Sequence, residues 1–213
     1  MNWLDRLERR FGSWSIPDFP LFIVAANGLI YILMQLRPEF YSKLLLDPSA
    51  VCGGEWWRIL TFLFVPPPWS PLFVVLWLYL LFVYAQALEH EWGEFKFCFF
   101  YLSGAVATIV AAMFVVHHTL SNVALNTSLF FAFASLFPEF QILVFFIIPV
   151  KVKHIAWVIW ASVIWTLLTG SFSARVALVA SLVNYFLFFG PELWETAKLR
   201  LAVYRNRRRF RGK

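Results

Sequence analysis

Residues 97–138 read FCFFYLSGAVATIVAAMFVVHHTLSNVALNTSLFFAFASLFP, a run of 42 residues without an Asp, Glu, Lys or Arg side chain. A helix rises about 1.5 Å per residue and crosses the roughly 30 Å hydrocarbon core of a bilayer in about 20 residues. A single helix of this length would extend about 63 Å, so the run predicts two membrane spans. The polar stretch HHTLSN at residues 117–122 separates them.

Further charge-free runs predict the other spans. The run at residues 59–88 contains Pro66-Pro67-Pro68, which a helix interior does not accept, so its span begins near Trp69. Residues 141–150 are apolar but too few to cross a bilayer, and they predict an interfacial or re-entrant segment. The sequence therefore predicts six spans, at residues 19–36, 69–88, 97–116, 119–137, 155–170 and 176–190.

The composition excludes a soluble domain. The 213 residues are 61% hydrophobic, 20% aromatic and only 14% charged, whereas soluble domains carry roughly 25% charged residues. Disordered, collagen-like and disulfide-rich classes are excluded as well. We therefore predict an all-α membrane protein whose single six-helix domain covers residues 19–191, between an amphipathic interfacial segment at 1–18 and a basic tail at 192–213.

The basic residues predict the orientation. Six spans place both termini on one side of the membrane, and with that side cytoplasmic, 14 Lys and Arg residues lie inside. The four outside are Arg37, Lys43, Arg58 and Arg175. The positive-inside rule favours this arrangement, which is that of a multi-pass protein of a bacterial inner membrane with cytoplasmic termini.

The two ends of the chain predict contacts with lipid. Trp3, Leu7 and Trp14 fall on one face of a helix, apart from the nearby arginines, as in a helix that lies at the membrane surface. Residues 1–18 lack the apolar core of a signal peptide. The basic tail predicts binding to anionic lipid headgroups, worth about 1 kcal/mol per basic residue, and we expect no nucleic-acid partner.

Several linked motifs resemble those of the rhomboid superfamily of intramembrane serine proteases. GEWWRILTFLF at residues 54–64 is similar to the first-loop signature of that family. LEHEWG at 88–93, followed by YLSG at 101–104, resembles its junction between spans two and three. LFP at 136–138 and PVKVK at 149–153 resemble the end of span four and the loop after it. The resemblance implies the rhomboid bundle of six helices.

The catalytic dyad of the family has no match in this chain. Rhomboid proteases use a serine in a Gly-x-Ser-Gly motif at the start of span four and a histidine in span six. A gapless alignment from residues 136–138 puts Val123 at the serine position, and Ser181 falls at the histidine position. Residues 176–191 contain no histidine, and residues 59–88 contain neither the His nor the Asn that help to bind the oxyanion. We therefore expect a pseudoprotease that binds transmembrane clients without cleaving them.

Small and polar residues recur at helical spacing on spans four and six. Such residues let helices approach closely and form hydrogen bonds between them. We interpret them as helix-packing positions, or as a polar groove for a client helix: Ser121, Ser128, Ala132, Ser135, Ala177, Ser181 and Asn184.

The first-loop motif predicts an anchor at the membrane interface. Trp56 and Trp57 suit the headgroup region, beside Glu55 and Arg58. In the family this loop lies partly in the membrane, so the resemblance implies a structural hydrogen-bonding role for Arg58.

Two other functions stay open. One is an intramembrane serine protease with a displaced nucleophile, Ser128 or Ser121, and with His117 or His118 as base. The other is a small transporter or lipid-handling protein, although the lack of a charged residue within a span disfavours ion coupling. We expect neither a metal site nor a cofactor.

Overall fold

The computed structural model describes residues 7–10, 12, 15–116, 118–144, 148–180 and 182–189. Five of the helices in this part of the chain are long and apolar enough to cross a membrane, and a sixth apolar helix is shorter. In chain order the six are α1 (Phe19–Leu36), α2 (Pro71–Trp92), α3 (Glu94–Val116), α4 (Val123–Leu136), α5 (Val152–Thr169) and α6 (Phe172–Phe189). Ser181, His117, the basic tail and half of the predicted interfacial segment at 1–18 lie outside the described residues.

Helix α2 continues past the predicted end of its span at residue 88. The charged side chains of Glu89 and Glu91 ended the apolar run but do not end the helix, which stops at Trp92. Gly93 follows with a φ of 87°, a left-handed conformation that glycine adopts without steric cost. Its N–H donates to the Glu89 carbonyl at 2.8 Å, and the chain turns directly into α3.

Helix α4 is shorter than the span predicted at residues 119–137. Its 14 residues extend about 21 Å, less than the thickness of a bilayer core. Leu120, inside the predicted span, is extended and pairs with Leu46 in a β-bridge. Eight of the 14 side chains are buried, since α4 packs against α2, α3 and α5. It is the central helix of the bundle.

The apolar segment predicted to be interfacial or re-entrant is a β-hairpin. Strand β1 (Gln141–Val144) pairs antiparallel with β2 (Ile148–Lys151), with Gln141 opposite Lys151. Pairing between the two strands gives hydrogen-bond partners to backbone N–H and C=O groups that an irregular segment would leave without partners at a membrane surface. Apart from this hairpin the described chain is built from helices and their connections.

The connection between α1 and α2 folds into short helices, Phe40–Leu44, Pro48–Cys52 and Arg58–Thr61, followed by a 3₁₀ turn at Phe62–Phe64. Asp47 caps the second of these by accepting from the backbone N–H of Ser49 at 3.0 Å. The Ser49 hydroxyl also donates to this carboxylate and is the main cause of the lowered pKa of Asp47. Asn122, just before α4, donates its side-chain amide to the Leu63 carbonyl at 2.8 Å, so the connection is tied to the central helix.

Gly104 allows α3, α4 and α6 to meet closely. A Cβ atom at this position would lie 2.5 Å from Cδ1 of Leu125 and 3.0 Å from Nδ2 of Asn184. Leu125 is fully buried, and the Asn184 amide is held by a hydrogen bond to the Phe100 carbonyl. An added methyl group would therefore have to displace buried side chains, so this contact favours glycine.

We predict that Gly104→Ala lowers the free energy of unfolding by about 1–3 kcal/mol, because the added methyl group overpacks a three-helix contact. The matched control is Gly28→Ala in α1, where the nearest heavy atom to an added Cβ is 3.8 Å away. Thermal unfolding of both variants in the same detergent measures the difference. Equal melting temperatures for the two variants would contradict the prediction.

Candidate functional site

A cavity of about 430 Å³ lies between the start of α4, the second half of α5 and the start of α6. Val123 at the start of α4 and Ser162 on α5 are exposed, so the cavity is open at the protein surface. Seven of its lining residues carry a hydroxyl group: Thr119, Ser121, Thr127, Ser162, Thr166, Ser171 and Ser173.

Some of these hydroxyl groups are already used within their own helices. Thr127 donates to the Val123 carbonyl at 2.8 Å, and Thr166 donates to the Ser162 carbonyl at 2.9 Å. The hydroxyls of Ser121, Ser162 and Ser173, in contrast, make no hydrogen bond to another described residue. Unpartnered hydroxyls can both donate and accept, so this cavity can hydrogen-bond a polar group that enters it.

No acidic, basic or histidine side chain is found among the described residues that line the cavity. Val123, which the alignment puts at the nucleophile position, lines it from α4, and Ala177 lines it from α6. General acid–base catalysis needs a titratable group within hydrogen-bond reach of the reacting atoms. The described lining therefore supplies groups for binding but none for proton transfer.

The two serines considered as displaced nucleophiles lie in different environments. Ser128 is fully buried and donates its hydroxyl to the Leu125 carbonyl at 2.8 Å, so it has no contact with the cavity. Ser121 lines the cavity, but the nearby His118 is exposed and makes no hydrogen bond to it. Neither serine is paired with a base in the described part of the chain.

The residues interpreted as helix-packing positions join α6 to two other helices. Asn184 accepts from the Ser103 hydroxyl at 2.8 Å and donates to the Phe100 carbonyl at 3.0 Å, which links α6 to α3. Ser135 on α4 lies 2.6 Å from the Tyr185 hydroxyl on α6. Ala132 is fully buried on α4.

The sequence pattern was read on spans four and six alone. The hydrogen-bond partner of Asn184 on α3 and the cavity residues on α5 were therefore not predicted. Ser103 bonds Asn184 from α3, and Ser162 and Thr166 line the cavity from α5. A signal for the α5 residues existed, because Ser162 and Thr166 are four residues apart and share one helical face.

Arg58 of the first-loop motif is buried and binds the end of the Phe40–Leu44 helix. Its Nε donates to the Glu55 carboxylate at 2.6 Å, and its Nη1 donates to the carbonyls of Ser42 at 2.7 Å and Leu45 at 3.1 Å. These carbonyls lie at the C-terminal end of the Phe40–Leu44 helix. The last carbonyl groups of a helix have no N–H partner within that helix, and Arg58 supplies one. Trp56 and Trp57 project outward, with 68% and 53% of their surface exposed.

No protein family model matches the chain, and no curated protein matches it.

We predict that Asn184→Ala lowers the free energy of unfolding by about 0.6–2 kcal/mol, because both hydrogen bonds between α6 and α3 are lost. Ser173→Ala serves as the control, since this serine is also on α6 but its hydroxyl makes no hydrogen bond to another described residue. Thermal unfolding compares them. A melting temperature of Asn184→Ala as high as that of Ser173→Ala would show that the link contributes nothing.

We predict that Arg58→Lys destabilises the protein by about 2 kcal/mol, because lysine keeps the charge but cannot reproduce the forked donors. Arg37→Lys is the matched control, since Arg37 pairs with Glu39 at 3.6 Å with both side chains largely exposed, and such pairs contribute little. The measurement is thermal unfolding in detergent. Equal losses in the two variants would rule out the special role of Arg58.

Proposed function

We propose that this chain is a rhomboid-like membrane protein that lacks the Ser–His dyad, and that it binds transmembrane helices of client proteins without cleaving them. One observation carries the proposal. The cavity bounded by α4, α5 and α6 offers unpartnered hydroxyl groups, and no titratable side chain is among its described lining residues. Such a site is suited to recognition and lacks the groups for hydrolysis.

The chemistry of helix association in membranes supports this function. Apolar side chains gain little by leaving lipid for another apolar surface, so hydrogen bonds and close contacts decide which helices associate. An Asn, Ser or backbone carbonyl group of a client helix can bond the hydroxyls of Ser121, Ser162 or Ser173. Each such bond is worth about 0.6–2 kcal/mol.

We propose a topology of six spans with α4 as the short fourth span and both termini in the cytoplasm of a bacterial cell. The distribution of basic residues, 14 on the cytoplasmic side against four outside, supports it through the positive-inside rule. With this orientation the hydroxyl-lined cavity faces the outer half of the inner membrane. The basic tail then meets anionic headgroups of the inner leaflet.

The rhomboid likeness rests on the linked sequence motifs, and residues of two of these motifs make contacts within the helical bundle. The first-loop arginine bonds the loop backbone, and the YLSG segment provides Ser103 and Gly104 at the contact with α6. A protease with a displaced nucleophile is less well supported, because Ser128 is buried and no described residue is paired with Ser121 as a base.

We predict that the cavity binds a synthetic single-span peptide with a Leu-rich helix and one central Asn. Ser162→Phe fills the cavity and should weaken binding about tenfold, the equivalent of about one interhelical hydrogen bond. Val158→Phe, on an exposed position of the same helix, should bind within about twofold of the unmodified protein. Energy transfer between labelled protein and peptide in liposomes measures the affinity.

The same samples test for the absence of catalysis. The peptide should be recovered intact, and a fluorophosphonate probe should not label the protein while it labels an authentic rhomboid protease. Labelling that disappears in Ser121→Ala would establish a nucleophile and overturn the proposal. Equal peptide binding by Ser162→Phe and the unmodified protein would overturn the assignment of the cavity.

A further inference from the structure

A second cavity, of about 460 Å³, lies between the second half of α4 and the first half of α5. We call it the α4–α5 groove. Phe131 and Trp160 form its floor, with their rings stacked at a centroid distance of 4.4 Å and an interplanar angle of 16°. Trp157 and Ile164 line it from α5 and are exposed. The groove therefore has a rigid aromatic surface that faces outward.

The groove has one charged end, and the other polar groups of its described lining are the Ser135 hydroxyl and the indole N–H groups of Trp157 and Trp160. Lys153 is its single charged lining residue. The hydroxyl of Ser135 already donates to the Phe131 carbonyl at 2.9 Å and contacts Tyr185. A ligand suited to this groove is thus apolar along its length and polar at the Lys153 end.

The charge at this end is positive even though Lys153 is paired. Lys151 and Lys153 both bind the one carboxylate of Glu139, at 2.7 and 2.5 Å. Hydrogen bonds from the two ammonium groups lower the pKa of Glu139 to about 2, so the carboxylate is ionised at neutral pH. Two cations against one anion leave a net charge of +1, which is complementary to an anionic headgroup.

The dimensions of the groove match a single acyl chain. Lys153 and Ile164 are eleven residues apart on α5, or about 16 Å along the helix, which is close to half of the roughly 30 Å hydrocarbon core. The groove is as long as one leaflet, which matches the length of one acyl chain.

We propose that the α4–α5 groove binds one anionic phospholipid of the surrounding bilayer. Its phosphate group lies at Lys153, where α5 begins, and one acyl chain runs along Phe131 and Trp160 toward Ile164. Trp157 and Lys153 stand at the depth where tryptophan and lysine anchor helices to the interface. The site is separate from the hydroxyl-lined cavity, which lies toward the opposite end of α5.

The test uses the full-length protein in phosphatidylcholine bilayers that contain a trace of a photoreactive lipid with a diazirine in mid-chain. One sample receives the phosphatidylglycerol form and the other the phosphatidylcholine form. After illumination, peptide mass spectrometry measures the yield of cross-links at residues 157–164. We expect about fivefold more cross-linking by phosphatidylglycerol, the preference that one lysine confers on anionic lipid.

Two lysine variants distinguish binding in the groove from attraction of anionic lipid by the general surface charge. Lys153→Gln should abolish the preference for phosphatidylglycerol. Lys151→Gln also removes one positive charge beside Glu139, but it leaves the ammonium group that lines the groove, so it should keep part of the preference. Ala156→Phe, which fills the groove, should lower the yield from both lipids. Thermal unfolding verifies that each variant is folded.

Three results would overturn the proposal. Equal yields from the two lipids in the unmodified protein would show that no anionic headgroup is selected. An equal loss of preference in both lysine variants would indicate surface electrostatics. An absence of cross-links from either lipid at residues 157–164 would show that no acyl chain occupies the groove.

Discussion

The shortness of the central helix α4 is the constraint on which the rest of the structure depends. Its 14 residues extend about 21 Å, less than the roughly 30 Å thickness of a bilayer core. Backbone groups beyond the ends of so short an apolar helix need partners within the protein wherever water is absent. At the start, Leu46 and Leu120 exchange two backbone hydrogen bonds. After its end, the N–H groups of Val152 and Lys153 donate to the carbonyls of Phe140 and Pro138. The folded first connection and the β-hairpin both serve this need.

The surroundings of α5 follow from the same arrangement. Only 17% of the residues of this apolar helix are buried, and a cavity lies beside it toward each end. The cavity near its end has free hydroxyl groups, while the groove near its start has aromatic walls and a lysine. The two therefore differ in the ligands that they suit. One fits a polar group carried on a helix, and the other fits an amphiphile with one charged end.

Much of the helical layout could be predicted, whereas the site could be predicted only in part. The span at residues 19–36 coincides with α1, because the apolar run and the helix end together at Leu36. The predicted bounds were wrong where the charge-free run and the helix end at different residues. Helix α2 continues past its run to Trp92, and α4 is shorter than its run. Ser121 and Ala177 were singled out and do line the cavity. Ser162 was not, because its role depends on which helix lies beside α4.

The sequence by itself determined that this is a helical membrane protein and where most of its helices run, because exclusion of charge from a hydrocarbon core acts on each segment separately. Which polar side chains are buried and which open into a cavity depends on the tertiary structure. Ser128 and Ser121 are alike in sequence, yet one hydroxyl is buried against the Leu125 carbonyl and the other opens into a cavity. Whether a side chain is buried or opens into a cavity depends on how distant segments pack around it, and periodicity along one helix does not record that packing.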